Sequence, residues 1–174
     1  LPRSMTVIGG GVIGVEYATI FSALDVPVTL IESRESILNF VDTEIVDDFI
    51  HQMRDRGIVI RLGATVDTIE KADTGITVAL TDGRKVRSEV LLFAAGRSGS
   101  VEALNLPAIG VEPDKRGRIK VDPKTFQTSA PNIYAAGDII GFPSLASTSM
   151  EQGRVAACHA FDMPPPPAPA TFPY

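Results

Sequence analysis

Apolar positions along this chain follow two rhythms. Residues 5–8 and 28–31 are short, mainly apolar runs, as expected of parallel strands covered on both faces. Between them Ile13, Tyr17, Ile20, Phe21 and Leu24 recur at helical spacing and predict an amphipathic helix with that face inward. Asp25, which tolerates a left-handed backbone, is a plausible stop for the helix, and Pro27 can open the next strand. A second helix is predicted over 43–56, capped by Asp42, striped by Ile45, Val46, Phe49, Ile50 and Met53, and closed by Gly57. A third parallel strand follows at 58–61.

From residue 65 to 88 the rhythm changes to alternation. Segments 66–70, 76–80 and 85–87 read as three antiparallel strands, with Asp82-Gly83 as a two-residue hairpin signal. A buried strand is expected at 90–95, ending in Gly96-Arg97. Residues 98–130 read as a loop-rich crossing in which 119–121 is the clearest strand. Residues 132–136 read as another strand, and a helix lies within 143–161. The tail MPPPPAPATFPY cannot be helical and favours an extended linker. The fold class is therefore α/β: a Rossmann-like parallel sheet with helices, and a three-stranded antiparallel β-meander where a crossover helix would otherwise run.

Composition adds little to this picture except by exclusion. With 44% apolar and 21% charged residues the chain can build a core. A net charge of −5 argues against nucleic acid or an anionic membrane as partner. There is no apolar run long enough for a membrane span and no signal-peptide pattern. The chain starts almost on its first strand, which suggests an excised piece. Cys158, the single cysteine, reads as a small apolar helix residue, consistent with a reducing, cytoplasmic compartment.

The chemistry concentrates between residues 7 and 34. Gly9, Gly11 and Gly14 stand in G-x-G-x-x-G spacing between a strand and a helix. Gly9 permits the tight turn, Gly11 lets a pyrophosphate approach the backbone, and Gly14 lets the helix pack closely on the strand. The helix start favours an anion. Glu32, about 20 residues further on at the end of the next strand, can accept from both hydroxyls of an adenosine ribose. Arg34 is either a solvated surface charge or the holder of a 2′-phosphate by a two-pronged hydrogen bond. The second option implies that both NAD and NADP are accepted. His51 lies off its helix stripe, with no second metal-type residue suitably spaced, so no metal site is expected. Asp138 either caps the following helix or binds a polyol hydroxyl, and spacing favours the cap.

Taken together, these motifs resemble the pyridine-nucleotide-binding domain of the flavoprotein disulfide reductase superfamily over nearly the whole chain. The resemblance rests on 9–16 (GGGVIGVE), the meander, Ala95-Gly96-Arg97, and 132–138 (NIYAAGD). Gly96-Arg97-Ser98-Gly99 and 142–147 (FPSLAS) resemble the soluble transhydrogenase branch of that superfamily, although Ser100 stands where that branch carries Asn. The resemblance implies an FAD-dependent oxidoreductase that passes hydride from NADPH through FAD to NAD without a side-chain nucleophile. It implies a cofactor-binding set of Gly9, Gly11, Val12, Ile13, Gly14, Glu16, Glu32, Arg34, Val66, Gly96, Gly137, Asp138 and Ala146. Glu16 would lie near the nicotinamide–flavin contact; as a bare residue it is equally a helix-surface charge. Residues 1–120 would be the NAD(P)-binding domain, 121–162 the C-terminal part of an FAD-binding domain, and 163–174 a linker toward a dimerisation domain. The full-length protein would be a homo-oligomer, and the fragment would hold FAD weakly and not turn over by itself. A dihydrolipoamide dehydrogenase fragment and a stand-alone NAD(H)-binding redox-sensing module are the alternatives.

Overall fold

A computed structural model describes residues 1–164. They form two compact units, Leu1–Gly96 and the chain from Arg97 onward.

In the first unit β1 (Met5–Ile8), β2 (Val28–Ile31), β3 (Val59–Arg61) and β7 (Val90–Phe93) make one parallel sheet in the order β3-β2-β1-β7. Strands β4 (Val66–Ala72), β5 (Gly75–Leu80) and β6 (Lys85–Ser88) make a separate antiparallel sheet. The parallel sheet is covered on both faces, which is why its inner strands read as nearly unbroken apolar runs. Met5 and Val7 of β1 and Val28 and Leu30 of β2 enter one core with residues of α1 (Val12–Ala23) and α2 (Thr43–Asp55). Ile8 and Ile31 enter a second core with Val78, Leu80 and Val86 of the meander. The side-chain period of two thus sends alternate residues of one strand into different cores.

The α1 face differs from expectation. Ile13, Tyr17, Ile20 and Leu24 are about half exposed, Ile20 at 54%. The buried residues are Gly14, Val15 and Ala18, with Phe21 partly buried beside them. The physical reason is close approach. A side chain at Gly14 would overlap the Gly9 carbonyl oxygen, so the helix rests on its smallest residues and its bulky apolar positions turn outward. Asp25 does take a left-handed φ of 60° after this helix. In α2, Val46, Ile50 and Met53 are buried and Asp42 accepts from the Glu44 N–H, but Ile45 points outward.

Three further expectations need correction. Strand β7 is shorter than 90–95 and is an edge strand, with Val90 and Phe93 exposed. The β5–β6 turn is longer than two residues: Leu80 N–H bonds to Arg84 O, and Gly83, at φ 84°, donates to Leu80 O. Neither 119–121 nor 132–136 is a strand; only the isolated antiparallel bridge Gln127–Tyr134 is formed there. A strand needs a continuous partner, and the backbone of 126–135 bonds in short local turns, with Asp122 and within itself.

The second unit holds a small core of Val101, Leu106, Val111, Ile119 and Ala130 among short 3-10 turns, followed by helix α3 (Ala146–Ala160). The Pro-rich linker expected from 163 falls almost wholly outside the described residues. Among the described residues no helix is long and apolar enough to cross a membrane.

Candidate dinucleotide-binding site

Parallel register brings the C-terminal ends of β1, β2 and β7 to one edge, with Ile8 aligned to both Ile31 and Phe93. Ligands of open α/β sheets bind at such an edge. Gly9 leaves β1 with φ 111°, a conformation that disfavours any side chain, and a Cβ there would collide with the Ala94 backbone. Gly11 is different. It is the N-cap of α1, with extended backbone (φ −79°, ψ −179°), and a Cβ there would meet nothing within 4 Å. No side chain caps this helix and its first turn carries no acid. The start of α1 therefore keeps an open backbone surface and an electropositive end, which fits a pyrophosphate. Val12 and Ile13, in its first turn, are exposed.

Glu32 lies directly behind this turn. Its Oε2 accepts from the Gly10 N–H at 2.6 Å, so the carboxylate is fastened to the glycine loop itself. Arg34 covers the same carboxylate. Its Nε reaches Oε1 at 3.0 Å, its Nη2 reaches Oε2 at 2.9 Å, and its backbone N–H reaches Oε1 at 2.9 Å. Ser33 Oγ also donates to Oε1, at 3.2 Å. Burial pushes the Glu32 carboxyl up, but the Arg34 and Gly10 hydrogen bonds and the Arg34 charge together outweigh it, and the pKa falls to about 2. The same hydrogen bond holds the Arg34 guanidinium above its usual range. Arg34 is half exposed, whereas Glu32 is buried. The pair offers a carboxylate for hydroxyl donors and a guanidinium for a phosphate at one place.

The other candidate residues are spread more widely. Gly96 follows β7 with φ 126° and open space around it. Val66 heads β4 and packs against the meander-side core. Glu16 stands exposed on α1. In the second unit the Gly137 N–H donates to the buried Gln152 Oε1 of α3 at 2.7 Å. Ala146 opens α3, whose N-cap is Leu145, not Asp138. Asp138 instead starts a 3-10 turn and pairs with Arg97 at 2.6 Å, so the cap favoured by spacing is not formed.

Sequence reasoning missed Gly10, whose N–H holds Glu32, Asn39, whose Oδ1 accepts from Arg34 Nη1, and Gln152, whose Oε1 accepts from the Gly137 N–H. Gly10 was inside the glycine motif, where its N–H could have been matched with Glu32. Asn39 and Gln152 carried no pattern that marked them.

A strand, an unhindered glycine turn, an uncapped helix start and a buried carboxylate across the sheet edge give this unit a Rossmann-type architecture. The chain belongs to the pyridine nucleotide-disulphide oxidoreductase family, whose model matches residues 1–153. It is 46% identical over 164 residues to the soluble pyridine nucleotide transhydrogenase of Mycobacterium tuberculosis, covering 94% of this chain and 35% of that protein. To the soluble pyridine nucleotide transhydrogenase of Shigella flexneri it is 44% identical over 156 residues, 90% of this chain and 33% of that one. The chain thus spans about a third of the length of these relatives. Among solved structures it resembles LpdA of Mycobacterium tuberculosis, with a TM-score of 0.86 at 31% identity over 97% of this chain and 37% of that one. It also resembles the HOCl-induced flavoprotein disulfide reductase RclA of Escherichia coli, with a TM-score of 0.81 at 31% identity over 91% of this chain and 36% of that one.

Proposed function

We propose that this chain is the nicotinamide-nucleotide-binding part of a soluble, FAD-dependent pyridine nucleotide transhydrogenase, which moves hydride from NADPH to NAD. The observation that carries the reading is the Gly10–Glu32 hydrogen bond, which ties the ribose acceptor to the pyrophosphate turn. Gly9, Gly11 and Gly14, with Val12 and Ile13, form the pyrophosphate seat. Glu32 accepts from the adenosine ribose, and the half-exposed Arg34 presents the outer edge of its guanidinium to a 2′-phosphate when NADP is the ligand. Val66 and Gly96 border the nucleotide, and Glu16 lies toward the nicotinamide.

FAD supplies a two-electron hydride relay when bound. Gly137, Asp138 and Ala146 are the part of its site that this chain contributes, and the Gly137–Gln152 bond is what holds that turn against α3. Function divides as residues 1–120 for NAD(P), 121–162 for part of the FAD domain, and 163–174 as linker. The full-length protein is a cytoplasmic homo-oligomer. The identities to two transhydrogenases favour this reading over a dihydrolipoamide dehydrogenase fragment or a stand-alone redox-sensing module.

Titration with NADH and NADPH, followed by nicotinamide fluorescence, tests the nucleotide site: saturable binding of both supports it, and binding of neither refutes it. Mixing with FAD and desalting tests the division of the flavin site. Little flavin should remain; stoichiometric retention would contradict it.

A further inference from the structure

One side chain beside the Glu32–Arg34 pair has no part in that reading. Arg34 Nη1 donates to Asn39 Oδ1 at 2.8 Å. The residue before Asn39 is unusual: Leu38 takes φ 45°, which a bulky residue adopts only when its surroundings hold it. They do so here. The Leu38 N–H donates to the Gly10 carbonyl at 2.9 Å, and the Val41 N–H donates to the Leu38 carbonyl at 2.8 Å. Ile37 is fully buried in the helix-side core, and a Cβ at Gly10 would stand 2.6 Å from its Cγ2. The turn that presents Asn39 is therefore anchored to the same glycine loop that holds Glu32.

The chemistry of the guanidinium makes this matter. Lying side-on across Glu32 through Nε and Nη2, Arg34 has only its outer edge left for another ligand. A half-exposed arginine has side-chain rotamer entropy opposing any one orientation of that edge. The Asn39 carbonyl on Nη1 fixes the plane. Unlike a carboxylate, the Asn39 carboxamide is uncharged and carries two N–H donors of its own, so it does not repel an anion.

We propose, on the basis of the dinucleotide reading above, that Asn39 is a specificity-determining positioning residue. It holds the Arg34 guanidinium with its outer edge toward the 2′-phosphate of bound NADP(H). It thereby sets the discrimination between the phosphorylated and unphosphorylated nucleotides.

The test measures Kd for NADH and NADPH on the 174-residue chain and on its N39A, N39D, R34A and N39A/R34A variants. N39A should raise the ratio of the NADPH Kd to the NADH Kd roughly three- to tenfold, the worth of one charge-assisted hydrogen bond at a half-exposed site. N39D keeps an acceptor for Arg34 but adds charge against the phosphate, and should raise the ratio further. In the R34A background the Asn39 change should add nothing, because it acts through Arg34. An unchanged ratio, equal losses for both nucleotides, or full additivity with R34A overturns the role of Asn39 while leaving the dinucleotide site intact. Failure of the parent chain to bind either nucleotide overturns both.

Discussion

The Arg34 guanidinium lies side-on across the Glu32 carboxylate, Nε 3.0 Å from Oε1 and Nη2 2.9 Å from Oε2. The carboxylate is buried and the guanidinium half exposed. One member of the pair is thus fixed by the fold, while the other faces solvent, where a ligand can reach it. Two nucleotides that differ by a single phosphate can be told apart by such a pair, because the carboxylate alone would repel the phosphate and the guanidinium alone would not orient the ribose.

Arg34→Ala removes the group proposed to meet the phosphate and leaves Glu32 in place. NADPH binding should weaken by about tenfold or more, the scale of a lost charge-assisted contact, and NADH far less. Fluorescence titration of both nucleotides checks this; equal losses would contradict it.

Acid should unfasten the same site. The Glu32 pKa is lowered from 4.5 to about 2 in the folded chain. A depressed carboxylate stabilises the fold above its unfolded pKa, and that stability is lost as pH falls through the folded one. The window therefore runs from about pH 4.5 down to about pH 2, and the contribution is on the order of 3 kcal/mol. Denaturant unfolding of the parent chain and of Glu32→Gln at stepped pH checks it. The parent should lose more stability across this window than the variant does.

Gly11 and Gly14 separate binding from folding. At Gly14 a methyl group would overlap the Gly9 carbonyl oxygen, so Gly14→Ala should cost about 3 kcal/mol or more and lower Tm. At Gly11 a methyl group meets nothing within 4 Å, and Gly11→Ala should change stability by about 1 kcal/mol at most. In the proposed seating that methyl would stand against the pyrophosphate, so nucleotide affinity should fall. Thermal melts and NADH titrations on both variants distinguish the two outcomes.

The orientation of α1 gives a further check. Ile20 and Leu24 are exposed and Ala18 is fully buried. Ile20→Gln and Leu24→Gln should each leave stability within about 0.5 kcal/mol, and Ala18→Leu should cost roughly 1–3 kcal/mol by overpacking. Chemical denaturation of the three variants measures it, and the reverse ranking would contradict the observed packing.

Those same α1 residues show where the sequence was legible and where it was not. Strand β1, strand β2 and the meander were readable because apolar continuity and alternation report directly on how many faces of a strand are covered. Gly9 and Gly14 were readable because each carries a distinct backbone requirement, a positive φ at the turn and a close approach of helix to strand. The buried face of α1 was not, since a helix that must approach a strand closely chooses its smallest side chains, and a search for bulky apolar residues points to the opposite face. Segments 119–121 and 132–136 had strand-like composition, but strand formation depends on a partner that composition does not supply. The Asn39–Arg34 contact depends on a left-handed Leu38, which no propensity would assign.

The central claim is that the turn at Gly11 and the carboxylate of Glu32 together seat a nicotinamide dinucleotide. Calorimetric titration of the chain with NADH, repeated with Glu32→Ala, tests it most directly. The account predicts saturable one-to-one binding by the parent chain, competed by ADP-ribose and weakened by about tenfold or more in the variant. Undiminished affinity in the variant, or no competition by ADP-ribose, would contradict it.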